Sequence, residues 1–139
     1  MKVNFMEPLI IESTPKTPKV VFDPGENHYE ISGRSLPENV VKTYDPVLKW
    51  IERNLADTKN EIKMKFKMDY LNSASAKMIS LILTKLEEFY SSGLKISVLW
   101  YYNSDDDDIQ SEGEIYQMLK KVPIKLVAVD DDDDDDDDF

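Results

Sequence analysis

Positions 62–70 alternate without interruption: Ile62, Met64, Phe66, Met68 and Tyr70 fall on one side, Lys63, Lys65, Lys67 and Asp69 on the other. A period of two predicts a strand buried on one face and open on the other. After Leu71-Asn72-Ser73 the period changes. Ile79, Ile82, Leu83, Leu86 and Phe89 recur at helical spacing, which predicts a helix over 73–92 with Gly93 as its stop signal. Residues 94–102 are apolar on both alternations, as a central strand should be. A polar loop follows over 103–108, then a short helix over 109–121 with Ile115, Met118 and Leu119 inward, then a last strand over Ile124–Val129. This half reads β-α-β-α-β, and right-handed crossovers make its three strands parallel.

The earlier half begins with β-prone runs at Leu9–Ile11, Lys19–Asp23 and 28–32, separated by STPKTP and by the turn-forming DPGEN. The second and third runs pair as a hairpin and add antiparallel strands at one edge. Ser35 and Glu38 have capping-box spacing, and Pro37 suits a first helical turn. Val40, Val41, Tyr44, Val47, Leu48, Ile51 and Leu55 form the core stripe of the next helix. Pro46 lacks a backbone donor, so a break is expected, with one segment ending at Tyr44 and Asp45 and another starting at Pro46. The expected fold is a single α/β domain over 1–129, a mixed sheet with helices mainly on one face, followed by an acidic tail over 130–139.

The chain has 139 residues and 16.1 kDa, enough for one domain. It lacks cysteine and has one histidine, His28, which removes disulfides, thiolate chemistry and poly-histidine metal sites. The net charge of −11 comes from 28 acidic and 17 basic residues. Without the nine terminal aspartates, 19 acidic residues face 17 basic, a net of −2. Setting aside Asp105, Asp106, Asp107 and Asp108 as well leaves 15 against 17, or +2. The body is nearly neutral and carries two dense acidic blocks. No basic run appears, so nucleic acid is not an expected partner. No stretch approaches the roughly 18–20 apolar residues of a membrane span, and the N-terminus lacks a secretory pattern. A soluble, cytoplasmic protein without membrane contact, monomeric when free, is the expectation.

In open α/β sheets, chemistry collects at the carboxyl ends of parallel strands. Two segments qualify. Asn72-Ser73-Ala74-Ser75 follows one strand, and Asn103-Ser104 with Asp105, Asp106, Asp107 and Asp108 follows the next, so adjacent strands would place the two loops within side-chain reach of one another. The serines sit where a helix begins, and free amides with the positive end of the helix dipole favour a phosphate there. Ser73 or Asn72 acting as a plain N-cap is the simpler reading. The four aspartates lack the spacing and closing glutamate of an EF-hand, so a solvated loop is the better reading than a cation site. The four glycines cannot form a P-loop or a G-x-G-x-x-G. Trp50, Trp100 and His28 read as packing or surface residues. Arg34 is a lone charge suited to an anion or, more simply, to a neighbouring acid. No nucleophile with a base is evident, no cofactor motif is present, and the chain is not expected to be an enzyme.

The segments STPKTPKVVFD, ISGRSLPEN, YDPVLKWI, FKMDYLNSASAK and WYYNSDDDDIQSEGE follow one another in an order and spacing that resemble the SiaC-type regulatory phosphoproteins, over about 12–123. The resemblance implies a STAS-like fold and a partner-switching role in cyclic di-GMP signalling and biofilm control. It implies a GHKL-type serine/threonine kinase, a PP2C-type phosphatase, and a diguanylate cyclase activated by the unphosphorylated form. Ser73 stands at the family's phosphoacceptor position, where better-known members carry threonine, and Ser75 is the alternative. Asn72, Arg34 and the four aspartates 105–108 are the expected partner-binding residues. The competing reading is an unregulated acidic interaction module in which Ser73 is only a helix cap.

Overall fold

Each β-prone run becomes a strand in the computed structural model, which describes residues 7–58 and 60–130. The strands are β1 (Leu9–Ile11), β2 (Lys19–Asp23), β3 (His28–Ser35), β4 (Ile62–Leu71), β5 (Ile96–Asn103) and β6 (Ile124–Val129). They form one mixed sheet in sequence order. β1, β2 and β3 pair antiparallel, while β3, β4, β5 and β6 run parallel. The hairpin between β2 and β3 turns where Asp23 Oδ1 accepts from the Gly25 amide at 3.0 Å, and Asn27 takes a φ of 50°. Asparagine tolerates that left-handed conformation better than most residues.

Helices α1 (Val40–Asn54), α2 (Ser73–Ser91) and α3 (Asp107–Leu119) make the three crossovers, with a single 3-10 turn at Leu55–Asp57 after α1. Right-handed crossovers that all advance the same way place the three helices on one face of the sheet. Ile31, Phe66 and Trp100 lie in one register row and are fully buried beneath them. Lys63, Lys65 and Lys67 lie on the opposite face, as the alternation in β4 implies. The expected mixed α/β fold with helices on one face is the fold observed.

Five local expectations are corrected. Ser35 does not cap a helix; it ends β3 fully buried, and α1 starts later, capped by Asn39, whose Oδ1 accepts from the Lys42 amide at 3.0 Å. Pro37 accordingly precedes the helix. Val41, placed in the core stripe by spacing, is exposed. Tyr70 is also exposed, because β4 gains a residue against β3. Gly33 pairs with Met68 but Arg34 pairs with Tyr70, so Asp69 is passed over and the alternation reverses. In α3, Ile115, Met118 and Leu119 face solvent, with Met118 83% exposed. The core contacts come instead from Ile109, Gly113 and Tyr116. A glycine at the centre of that stripe leaves no hydrophobic signature to read.

Pro46 is the fifth correction. α1 runs through it as one element, although a proline there cannot donate to the Lys42 carbonyl. Tyr44 and Val47 flank the proline and are both fully buried, and Ile51 continues the stripe, so core packing holds both sides on one axis. The lost bond still costs stability. Pro46 is exposed, so Pro46→Ala creates no cavity. It should raise stability by about 1–2 kcal/mol, after allowing for the looser unfolded chain. The urea midpoint should rise at unchanged slope; an unchanged or lower midpoint would mean that the proline is accommodated without loss.

Candidate functional site

The carboxyl ends of β4 and β5 bring the two singled-out segments together. A cleft of about 340 Å³ is lined by Asp69, Tyr70, Asn72, Ser73, Ala76, Asp106, Asp108 and Glu112, with Leu71 and Ile109 beneath. One wall is the β4–α2 junction and the other is the start of α3. Its lining contains no histidine, lysine or arginine.

Ser73 is the first residue of α2, and it is exposed. The cap belongs to Asn72, whose Oδ1 accepts from the Ser75 amide at 2.8 Å. The amides of Ser73 and Ala74 lie in the first turn, where no helical carbonyl precedes them, so they face outward as donors. The Ser73 hydroxyl therefore stands beside an anion-favouring helix terminus and is not consumed in capping it. Ser75 differs completely. It is fully buried, and its hydroxyl donates to the Ser35 carbonyl at 3.0 Å and lies 2.7 Å from Ser35 Oγ.

Those contacts belong to a buried polar knot that spacing did not reveal. Ser35 Oγ also lies 2.7 Å from the Tyr44 hydroxyl, and the Asn72 amide donates to the Ser35 carbonyl at 3.0 Å. The knot ties the end of β3, the middle of α1 and the first turn of α2, and so sets where Ser73 emerges. Burial pushes the Tyr44 phenol up from its ordinary pKa, so it stays a neutral hydroxyl in that network. Partners 40 residues apart leave no local pattern, which is why Ser35 reads as a cap in sequence. Tyr116 supports the same turn from α3, donating to the Ala76 carbonyl at 3.1 Å. Its pKa is raised, first by burial and then by Glu112.

The four aspartates divide their work. Asp106 caps α3, accepting from the Ile109 amide at 3.0 Å, and Asp107 and Asp108 fill the first turn, where carboxylates complement the helix dipole. Asp105 is exposed in the preceding turn. Among the described residues no group of three or more His, Cys, Asp or Glu side chains converges as a metal site. Arg34 is exposed and lies over the Tyr70 ring, 5.4 Å from its centroid, rather than against an acid. His28 pairs with Glu30 at 3.2 Å, away from the cleft. Among the described residues no helix is long and apolar enough to cross a membrane.

The division between Asn72 and Ser73 can be tested directly. Asn72→Ala should cost about 0.5–2 kcal/mol by removing the cap, whereas Ser73→Ala should change stability by less than about 0.5 kcal/mol, as for an exposed residue away from special features. Chemical denaturation of both variants checks this, and equal losses would return the cap to Ser73.

Fold and cleft together define a small α/β domain that presents an exposed helix-start hydroxyl among carboxylates. A family model described as SiaC family regulatory phosphoprotein matches residues 11–129, and the chain belongs to that family. It is 30% identical over 125 residues to the uncharacterized protein PA14_02130 of Pseudomonas aeruginosa strain UCBPP-PA14, covering 90% of this chain and 99% of that one. SiaC of Pseudomonas aeruginosa superposes with a TM-score of 0.80 at 29% identity, over 89% of this chain and all of that one. A similar match, TM-score 0.81 at 29% identity over 87% of this chain and 99% of the other, comes from a crystal structure of the diguanylate cyclase SiaD in complex with its activator SiaC.

Proposed function

We propose that this protein is a non-enzymatic, cytoplasmic switch whose phosphorylation at Ser73 decides which protein it binds, and that the unphosphorylated form engages and activates a diguanylate cyclase. The observation that carries the reading is the placement of Ser73: exposed, first in α2, with its cap supplied by Asn72. A kinase needs a hydroxyl it can reach, and Ser75, fully buried and hydrogen-bonded, is unavailable in this fold. Membership of a regulatory phosphoprotein family, and the likeness to an activator bound to its cyclase, support the same reading. A GHKL-type kinase would install the phosphate and a PP2C-type phosphatase would remove it. Asn72, Asp105, Asp106, Asp107 and Asp108, with Arg34 at the neighbouring strand end, form the proposed partner-binding surface.

The chemistry of the switch is local. The first-turn amides of α2 can donate to a phosphate without refolding the domain. What changes is the surface: a group of about −1.5 to −2 charges joins Asp106, Asp108 and Glu112 in one cleft. The test is affinity capture from native cells with the wild type, Ser73→Ala and Ser73→Asp, together with phosphosite mapping. Ser73→Ala should retain the cyclase and carry no kinase-dependent phosphate. Ser73→Asp should bind more weakly, though less so than the phosphoprotein, because it adds one charge and a different geometry. Kinase-dependent phosphate found at another residue would overturn the proposal.

A further inference from the structure

The face of the sheet opposite the helices has a charge pattern that a linear reading misses. The strand register aligns Val21, Glu30, Lys65, Leu99 and Lys125 in one row, and Lys19, Ser32, Lys67, Tyr101 and Val127 in the next. Lys63 lies one step further along β4, and Arg34 flanks the same face beyond the bulge. Six cations from four strands thus share one open face. The acids on its strands are Glu30, Asp23 and Asp69, the last at the bulge and lining the cleft. Glu30 is engaged by His28 at 3.2 Å and Lys67 at 3.6 Å, and Asp23 accepts from the turn amide of Gly25. Lys67 also lies over the Tyr101 ring, 4.9 Å from its centroid, so the face offers a lysine–tyrosine platform. No helix covers it.

The chain supplies a ligand of opposite charge. β6 ends at Val129 on the edge of this sheet, and Asp130 follows, its Oδ1 accepting from Ser104 Oγ at 2.7 Å. Residues 131–139 lie outside the described residues and include eight further aspartates. We propose that this acidic segment docks on the basic open face of the sheet and occupies it as an intramolecular competitor for anionic partners. Two electrostatic effects agree on the direction. Asp130, the last described residue, bonds Ser104 next to Asp105 and the α3 N-terminus, whose carboxylates would repel further aspartates, while Lys125 of the open face stands on the strand that leads into Asp130. Reach is sufficient. Nine residues extend about 30 Å, whereas β4 lies two strands from β6, about 10 Å across the sheet. Pairs of this kind are exposed, individually weak and sensitive to salt.

Zero-length carbodiimide coupling of the full chain, followed by peptide mapping, tests the proposal. Amide links should join residues 131–138 to Lys63, Lys65, Lys125 or Lys19 within one chain. Their yield should be independent of protein concentration and should fall at least about fivefold between low salt and 0.5 M salt. Lys49 and Lys77, on helices α1 and α2, serve as controls. Equal yields at those controls, links formed only between chains, or no links at all would overturn the proposal. So would tight capture of a single-stranded oligonucleotide by the full chain on the same lysines, since the face would then be open. As a second readout, the full chain with Lys19, Lys63, Lys65 and Lys125 changed to Glu should lose the links while keeping the wild-type circular dichroism. Links persisting in that variant would also contradict it.

Discussion

Gly113→Ala should destabilise the protein by about 1–3 kcal/mol, the usual cost of overpacking a filled core. A Cβ at Gly113 would lie 2.4 Å from Trp100 Cδ1 and 2.7 Å from its Nε1. The indole cannot yield. Its Nε1 donates to the Ile109 carbonyl at 2.8 Å, and its ring is wedged between Phe66 and Tyr116, with centroids 5.6 and 5.3 Å away. The helix must therefore lift from the sheet. Because α3 carries Asp106, Asp108 and Glu112, the same shift would move one wall of the Ser73 cleft. Urea denaturation should show the loss, and Trp100→Leu combined with Gly113→Ala should recover part of it beyond the sum of the single changes. Wild-type stability in Gly113→Ala would contradict the packing of α3 described here.

Phosphorylation of Ser73 should weaken binding of the cyclase by at least about 30-fold, equivalent to about 2 kcal/mol. The phosphate adds volume at an exposed contact point and places a dianion beside carboxylates of the same cleft. A partner seated there must desolvate that charge or leave it facing its own surface, and like charges at a partly desolvated contact cost several kcal/mol. Much of the loss should be independent of salt, because a seated partner excludes part of the screening solvent. The domain itself should keep its stability, since the first-turn amides of α2 balance the new charge. Equilibrium binding in 0.1 and 0.5 M salt, beside thermal denaturation of both forms, checks both halves.

Much of this architecture is visible in residue patterns, and its failures share a cause. The alternation at 62–70, the stripe from Ile79 to Leu86 and the glycine stop at Gly93 report local geometry, and each element formed where its period indicated. The misread positions are those decided by distant contacts. Ser35 reads as a cap until Tyr44 and Ser75, from two other elements, bury it. Tyr70 follows its period until a residue gained against β3 reverses the strand. Ile115, Met118 and Leu119 look like a core stripe, yet the helix turns its glycine to Trp100 instead. Pro46 breaks helices by local rules, but packing on both sides overrides it. The site was half legible. The topology of parallel strands implied that the serine and aspartate segments meet, whereas the assignment of the cap to Asn72 needed coordinates.

One exposed hydroxyl, on Ser73, is proposed to control partner choice. The most direct measurement compares the affinity of the full chain for the diguanylate cyclase before and after stoichiometric enzymatic phosphorylation, with the modified residue located by mass spectrometry. The expected result is a phosphate on Ser73, loss of binding with it, and recovery when a phosphatase removes it. Equal affinity of the two forms with the phosphate on Ser73, or a phosphate located elsewhere, would contradict it.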